Sequence, residues 1–206
     1  MSFIKSKYKS INIFASDYLN NINKISQSIK ENELEKIVSK IIEKIKKNKN
    51  IFVCGNGGSA AIANHFVCDF LKYMKTNNKL NPKVISLSTS TELITAISND
   101  ISYNNIFSYQ LDALGRKGDL LILISSSGNS KNIIKAIECS KKKNIETISF
   151  TGFYGGYAKK KTDMNLHFNF RNYGLSEDSH HIFMHIICQY IRQKFINKKS
   201  LRLIKF

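Results

Sequence analysis

Histidines and carboxylates recur at four-residue spacing in two places of the sequence, and these side chains could carry acid–base or metal chemistry. His65 and Asp69 form a pair, and Glu177, His181 and His185 form a second series. Residues four apart share one face of a helix, so each set can present its groups to one side. Imidazole and carboxylate ligands together suit Zn²⁺ or a similar divalent ion, and an open coordination position would make the site catalytic.

A plainer interpretation of these residues stays open at this point. A lone histidine–aspartate pair on a helix is usually a surface hydrogen bond, and nothing in local spacing requires the two sets to meet. His180 lies beside the second series, and His167 is interpreted as structural because it falls in a strand segment. One shared site and two unrelated surface pairs are therefore equal hypotheses from the residues alone.

Two loops rich in glycine, serine and asparagine, at 54–61 and 125–130, each join an apolar run to a helical segment. A helix N-terminus offers unpaired N–H groups to an anion, glycine admits close approach, and serine adds neutral donors. Two such loops favour a phosphate cradle over ordinary turns and helix caps, which are the alternative. Neither loop fits a dinucleotide fingerprint or carries a Walker lysine, so no nucleotide cofactor is expected. The candidate substrate-binding residues are Asn56, Gly57, Gly58, Ser59, Ser125, Ser126, Ser127 and Ser130.

Apolar runs and helical periodicity alternate after residue 50. The predicted strands cover 51–54, 83–87, 120–124, 147–150 and 166–168. The predicted helices cover 60–74, 91–97, 106–114, 132–143 and 177–194. Continuous apolar strands alternating with helices predict an α/β fold with a parallel sheet covered on both faces. The two loops would then lie at the carboxyl ends of strands, where open sheets bind ligands.

The first fifty residues predict a helical leader that breaks near Glu31 and Asn32. Its apolar face must be buried on its own domain or on a partner subunit. Length and texture predict a single domain over 1–206, made of the leader over 1–50 and an α/β core over 51–198.

Composition limits the class of protein. No apolar run approaches the roughly 20 residues of a membrane helix, and the N-terminus lacks the pattern of a signal peptide, so no membrane association and a cytoplasmic location are expected. The four dispersed cysteines are expected to pack as small hydrophobes. The net charge of +17 favours a solvated basic surface that attracts anionic substrates over a nucleic-acid groove, since only charge supports the latter.

In chain order, these motifs resemble those of the phosphoheptose isomerases, a branch of the SIS-domain proteins. The matching motifs are 55–61 with His65, Ser98-Asn99-Asp100, Gly118-Asp119 before 125–130, Thr151-Gly152 with Gly155-Gly156, and Glu177 with His185. The resemblance implies an SIS-type three-layer sandwich with a central flavodoxin-like sheet, and a homotetramer with active sites at subunit interfaces. It implies conversion of sedoheptulose 7-phosphate to D-glycero-D-manno-heptose 7-phosphate, an early step towards the heptose of lipopolysaccharide or capsule.

The resemblance also implies roles for individual residues. Ser59, Ser125, Ser127 and Ser130 would bind phosphate, with Asn56 and Asp100 near the sugar. Zn²⁺ or another divalent ion would be held by His65, Asp69, Glu177 and His185. Asp69 would be the catalytic base and His185 the acid, with Glu177 the next carboxylate if Asp69 does not reach.

The sequence departs from the family at three of these places, because the family usually carries Glu at position 69, Gln at 177 and Arg at 73, where this chain has Asp69, Glu177 and Tyr73. Two other functions stay open: isomerisation of a different sugar phosphate, and a non-catalytic SIS protein that binds a sugar phosphate or a protein partner.

Overall fold

Five short apolar runs pair in parallel to form one sheet. The computed structural model describes residues 3, 7–74 and 80–196. The strand order is β2-β1-β3-β4-β5. The strands are β1 (Asn50–Gly55), β2 (Lys83–Ser86), β3 (Leu120–Ser125), β4 (Glu146–Thr151) and β5 (Met164–His167). This confirms the predicted sandwich with a flavodoxin-like sheet, while the predicted domain limits at 1, 198 and 206 lie outside the described residues.

Eight α-helices precede, connect or follow the strands of the described chain. They are α1 (Ile11–Ser26), α2 (Glu31–Lys46), α3 (Gly58–Cys68), α4 (Thr91–Ile97), α5 (Ile106–Leu114), α6 (Lys131–Lys142), α7 (Gly156–Lys161) and α8 (Tyr173–Phe195). The sequence did not predict α7. The helix predicted over 60–74 is α3 followed by a π-helical turn at Asp69–Tyr73, and a second π-helical turn follows α4 at Ser98–Ser102.

The sheet separates two apolar cores because successive strand residues point to opposite faces. Ile51 and Val53 of β1 pack with buried residues of α1, α2, α3 and α8. Phe52 and Cys54 of the same strand pack with residues of α4, α5, α6 and α7. The helices α3 and α8, which carry the histidine and carboxylate series, therefore share one face of the sheet.

The leader helices belong to this first core. Ile37 and Ile41 of α2 are buried in it. Tyr18 of α1 packs on the core, and its hydroxyl donates a 2.6 Å hydrogen bond to Asp178 Oδ2 in α8. The sequence left two surfaces open for the apolar face of the leader, its own domain or a partner subunit. In the structure this face packs on its own domain.

The cysteines are unpaired thiols. Cys54 and Cys188 are buried as the sequence predicts, but the prediction is wrong for Cys68, which is exposed at the end of α3. Among the described helices, none is both long and apolar enough to cross a membrane.

Candidate active site

The first candidate loop turns the chain from β1 into α3 with little room for side chains. A Cβ on Gly55 would lie 2.5 Å from the Ser59 carbonyl oxygen, and Gly57 has a φ of 53°, which favours glycine. Gly57 is the N-cap of α3, and no described side chain caps this helix. Ser59 is buried in the first turn. No side chain therefore caps the start of α3 in place of a ligand, although the Ala60 N–H in this turn already donates to the Gly57 carbonyl oxygen at 3.0 Å.

The second loop joins β3 to α6 and is held by its own serines. Ser125 Oγ accepts from the Gly128 N–H at 3.1 Å, and Ser127 Oγ accepts from the Asn129 N–H at 3.3 Å. Ser126 is buried, and its hydroxyl has no hydrogen-bond partner among the described residues. Ser130 is the N-cap of α6 but makes no capping bond with its side chain. The unused Ser130 side chain and the start of α6 make this loop suited to a phosphate group, with the Ile133 N–H of that turn already donating to Asn132 Oδ1 at 2.9 Å.

The two loops follow adjacent strands, β1 and β3, whose helices leave on opposite faces of the sheet. This is the topological switch point, where ligands bind in such folds. Asn56 of the first loop and Asn132 at the start of α6 join them through two reciprocal amide hydrogen bonds of 2.9 Å. The Tyr103 hydroxyl donates to the same Asn56 oxygen at 3.1 Å. Asn132 and Tyr103 were not among the predicted site residues.

The histidine series of α3 and α8 meet on the surface of the first core. His185 Nε2 lies 3.3 Å from His65 Nε2, and His181 Nε2 lies 3.3 Å from His65 Nδ1. The three imidazoles can each offer a ligand atom within 4.8 Å of the others. Burial, followed by the neighbouring His185 and His65, lowers the pKa of His181.

Asp69 contributes a carboxylate to this cluster from the π-helical turn that follows α3. Its Oδ1 lies 3.3 Å from His65 Nε2 and its Oδ2 lies 3.3 Å from His185 Nε2. Asp69 is only 3% exposed, and its Oδ1 has no hydrogen-bond donor among the described residues. The 3.3 Å approach to His65 is therefore a contact without hydrogen-bond geometry, and it leaves one buried carboxylate oxygen able to accept a further partner. π-helical turns occur frequently at functional positions.

The distances within this cluster fit a divalent ion. Ligand bonds of about 2.0–2.2 Å around a tetrahedral ion place donors about 3.3–3.6 Å apart. His65 Nε2 is 3.3 Å from His185 Nε2 and 3.3 Å from Asp69 Oδ1, and His185 Nε2 is 3.3 Å from Asp69 Oδ2. Two imidazoles and one carboxylate are a donor set that zinc and similar ions accept, with a further coordination position left open.

Glu177 lies at the first loop, one turn of α8 before His181. A Cβ on Gly58 would come within 2.7 Å of Glu177 Cδ, so the carboxylate packs directly on the start of α3. Burial, with Asp178 adding to it, raises the pKa of the Glu177 carboxyl. No described contact joins Glu177 to the imidazole cluster, so the structure brings three of the four expected metal ligands together and places the fourth beside the loop.

The remaining expected residues are more distant from this centre. Asp100 is exposed in the second π-helical turn and accepts from the Asn99 side chain at 2.8 Å. His180 faces the core, fully buried beside Phe168, and burial lowers its pKa to about 4. His167 contacts Thr151 Oγ1 through Nδ1 at 3.0 Å, consistent with its structural interpretation. The side chain of Tyr73 lies outside the described part of the chain.

Fold and loops together define a class of protein. A five-stranded parallel sheet with serine- and glycine-rich loops at its switch point is the arrangement of a SIS domain, and residues 17–152 match the family model described as SIS domain. The phosphoheptose isomerase of Helicobacter pylori (strain Shi470) is 40% identical over 158 residues, which cover 77% of this chain and 82% of that protein. The phosphoheptose isomerase of Campylobacter concisus is 38% identical over 162 residues, covering 79% and 85%. The chain belongs to the phosphoheptose isomerase family.

Solved structures agree with this membership. The phosphoheptose isomerase structure from Neisseria gonorrhoeae matches with a TM-score of 0.81 at 28% identity, covering 89% of this chain and 97% of that one. The phosphoheptose isomerase from Francisella tularensis matches with a TM-score of 0.80 at 26% identity, covering 89% and 96%.

Proposed function

We propose that this protein is an aldose–ketose isomerase that converts sedoheptulose 7-phosphate to D-glycero-D-manno-heptose 7-phosphate. The observation that carries the proposal is the meeting of His65, Asp69 and His185 beside the phosphate-type loops of a chain in this family. A non-catalytic SIS protein would have no need for a buried carboxylate held between two imidazoles.

The substrate phosphate binds at the second loop in this proposal. The Ser130 side chain is not used by the loop itself, and the Ser125 and Ser127 hydroxyls, which accept from backbone N–H groups, can donate to phosphate oxygens. The N–H groups at the start of α6 supply further donors and a favourable dipole. Asn56 and Ser59 come from the first loop, on the neighbouring strand, where the open space beside Gly57 leaves room for the sugar.

A divalent ion, zinc by preference, would be held by His65, Asp69 and His185. Such an ion supplies Lewis-acid polarisation of the sugar's carbonyl and hydroxyl oxygens. The protein's own contribution is the fixed donor triangle and the open position facing solvent. Asp69 is one methylene shorter than the glutamate that the family resemblance leads us to expect, and from the π-helical turn it lies 3.3 Å from both imidazoles.

Proton transfer needs a carboxylate that can reach the sugar. Asp69 was the first candidate for the base, but it is buried between the two imidazoles, while Glu177 is half-buried at the mouth of the first loop. We therefore assign the base to Glu177. It takes a proton from C1 of the ketose, the C–H electron pair forms the C1–C2 double bond, and the carbonyl oxygen on C2 gains a proton. Return of the proton from Glu177 to C2 and loss of the C1 hydroxyl proton then give the aldose. His185, expected as the acid, binds the ion through Nε2 in this proposal and so does not also donate a proton.

The oligomer expected for this family has a surface that suits it. Ile182, Ile186 and Tyr190 lie four residues apart and form an exposed apolar stripe along α8. On α1, Ile11 is 74% exposed and Leu19 is 65% exposed. Contiguous apolar surface of this kind marks interaction sites. We propose that these helices pack against other copies of the chain in a homotetramer, which places the histidine cluster of α8 close to a subunit interface.

The unpaired cysteine thiols support a reducing compartment, and we propose that the enzyme works in the cytoplasm, in the supply of heptose for lipopolysaccharide or capsule.

The test uses purified protein with defined metal content, incubated with sedoheptulose 7-phosphate and, separately, with fructose 6-phosphate. The aldose product is identified by NMR. The expected result is formation of the heptose aldose 7-phosphate and slow or no conversion of the hexose phosphate. Turnover of the hexose phosphate alone would show that the protein isomerises a different sugar phosphate. Binding of either sugar without turnover of either would indicate the non-catalytic alternative.

A further inference from the structure

His65 is contacted on both nitrogens of its ring. Its Nε2 faces Asp69 Oδ1 and His185 Nε2, each at 3.3 Å, while its Nδ1 faces His181 Nε2 at 3.3 Å. The His181 ring therefore packs beside the donor triangle, against the other nitrogen of His65, with its centroid 4.7 Å from that of His65 and 4.6 Å from that of His185. It is a residue to which the family resemblance gives no role, although it shares the face of α8 with Glu177 and His185.

We infer that His181 is a positioning residue that fixes the tautomer and orientation of His65 for metal binding, an inference that rests on the metal centre of the proposed function. A neutral imidazole has one N–H and one lone pair, so His65 can bind an ion through Nε2 only when its proton is on Nδ1. That proton needs an acceptor. His181 Nε2 is the acceptor within reach, and its own proton is then on Nδ1.

Exposure explains why His65 requires such a partner. Its side chain is 42% exposed, whereas the Asp69 side chain is 5% exposed and held by its surroundings. An exposed imidazole can rotate about two bonds, and ordering it costs entropy at the moment when the ion binds. Metal-ligating histidines regularly have their second nitrogen hydrogen-bonded for this reason. The two rings are tilted by 73° with centroids 4.7 Å apart, so the contact is edgewise rather than a stack.

The alternative is that His181 is itself a ligand. The contacts favour the positioning role, because His181 Nε2 lies against Nδ1 of His65 while both other groups lie against Nε2. A ligand role would instead draw all three imidazoles onto one ion. Counting the imidazoles bound to the ion separates these two roles.

The test compares His181→Leu and His181→Gln with wild type, and uses His167→Gln as a matched control outside the cluster. Affinity for Zn²⁺ and Co²⁺ is measured by competition with a chelator on the purified full-length protein, and bound imidazoles are counted by X-ray absorption. We expect His181→Leu to weaken metal affinity by about 10- to 100-fold. His181→Gln, whose amide oxygen can accept the same N–H, should recover most of that loss. His167→Gln should bind as wild type does, and wild type and both His181 variants should show two imidazoles.

Several results would overturn the inference. Equal affinity of His181→Leu and wild type would show that His65 needs no partner, and equal weakening by Leu and Gln would show a role other than hydrogen-bond acceptance. Three imidazoles in wild type and two in His181→Leu would make His181 a ligand. A wild-type protein that binds no metal would remove the metal centre from the proposed function as well, whereas the other outcomes leave that centre in place.

Discussion

Replacing Gly58 with alanine should displace the proposed base without harming the fold. Gly58 begins α3, and its backbone does not need a positive φ. A Cβ built there lies 2.7 Å from Glu177 Cδ and 2.9 Å from Oε1. The obstructing atoms are the end of a flexible side chain, so the Glu177 carboxylate can swing away. Gly58 is the first residue of the helix and needs no left-handed backbone, so the melting temperature should stay close to that of wild type.

The size of the effect follows from the displacement. Non-bonded carbon atoms are most stable about 3.5–4.0 Å apart, so Glu177 Cδ must retreat by roughly 1 Å from its position 2.7 Å from the new methyl group. Misplacing a catalytic group by about 1 Å can cost on the order of 10²-fold in rate. We therefore expect Gly58→Ala to lower kcat by about 10²-fold, with a smaller change in KM.

The assay is a double-mutant cycle of Gly58→Ala, Glu177→Gln and the combination, with kcat and KM measured on sedoheptulose 7-phosphate. Removing a general base costs about 10²- to 10⁴-fold. If the alanine acts through Glu177, the double variant should be no slower than Glu177→Gln alone. Additive losses would show that the methyl group blocks substrate directly, and an unchanged kcat in Gly58→Ala would refute the assignment of Glu177 as base.

Three further predictions test the phosphate loop, a buried histidine and the oligomer. Ser127→Ala should raise KM for the phosphorylated sugar by roughly 10- to 150-fold, the equivalent of about 1.5–3 kcal/mol for a hydrogen bond to a charged group; unchanged KM would exclude Ser127 from the site. Burial lowers the pKa of His180 from 6.5 to about 4, so the unfolded state takes up this proton first and stability should fall as pH drops from about 6.5 to about 4, by at most roughly 3 kcal/mol. Urea unfolding of His180→Phe should show a weaker loss over that range, and an identical pH dependence would contradict this origin. Ile186→Glu in the exposed stripe of α8 should dissociate the oligomer in light scattering, whereas Lys142→Glu, at an exposed position of α6 on the other face of the sheet, should not; a tetramer in both would place the interface elsewhere.

The sequence predicts the five strands within a few residues because buried parallel strands are continuous apolar runs bounded by loops. It does not predict α7, which has six residues, begins at glycine and ends in three lysines, so its apolar pattern is too short to detect. The π-helical turns at Asp69 and Ser98 also leave no signal, since they insert one residue per turn into an otherwise ordinary helical pattern.

The candidate site shows the same division between local and long-range information. The loops are predictable from glycine and serine next to strand ends. The alignment of α8 against α3 is not predictable from the sequence. Glu177, His181 and His185 share one helical face, and their spacing does not show which of them contacts which turn of α3. Asn132 escapes notice because a lone asparagine in the first turn of a helix is common, and only the fold brings it to Asn56.

The way α8 is aligned along α3 determines where the carboxylate and the imidazoles of the candidate site lie. Glu177 lies against Gly58, and His181 lies against His65. At 1.5 Å per residue, these contacts are separated by about 10 Å along α3 and about 6 Å along α8. The two helices therefore run in the same direction, with the carboxylate at the loop and the imidazoles farther along.

That alignment depends on the leader. Tyr18 of α1 donates to Asp178, the residue next to Glu177, and so ties the first turns of α8 to a helix more than 150 residues earlier. Sliding α8 by one turn would move His181 away from His65 and place another residue against Gly58. The contact between Tyr18 and Asp178 opposes such a slide at the end of α8 where the proposed base is placed. The helical leader therefore supports the chemistry as well as the core, because it holds the one helix that contributes to both the carboxylate and the metal centre.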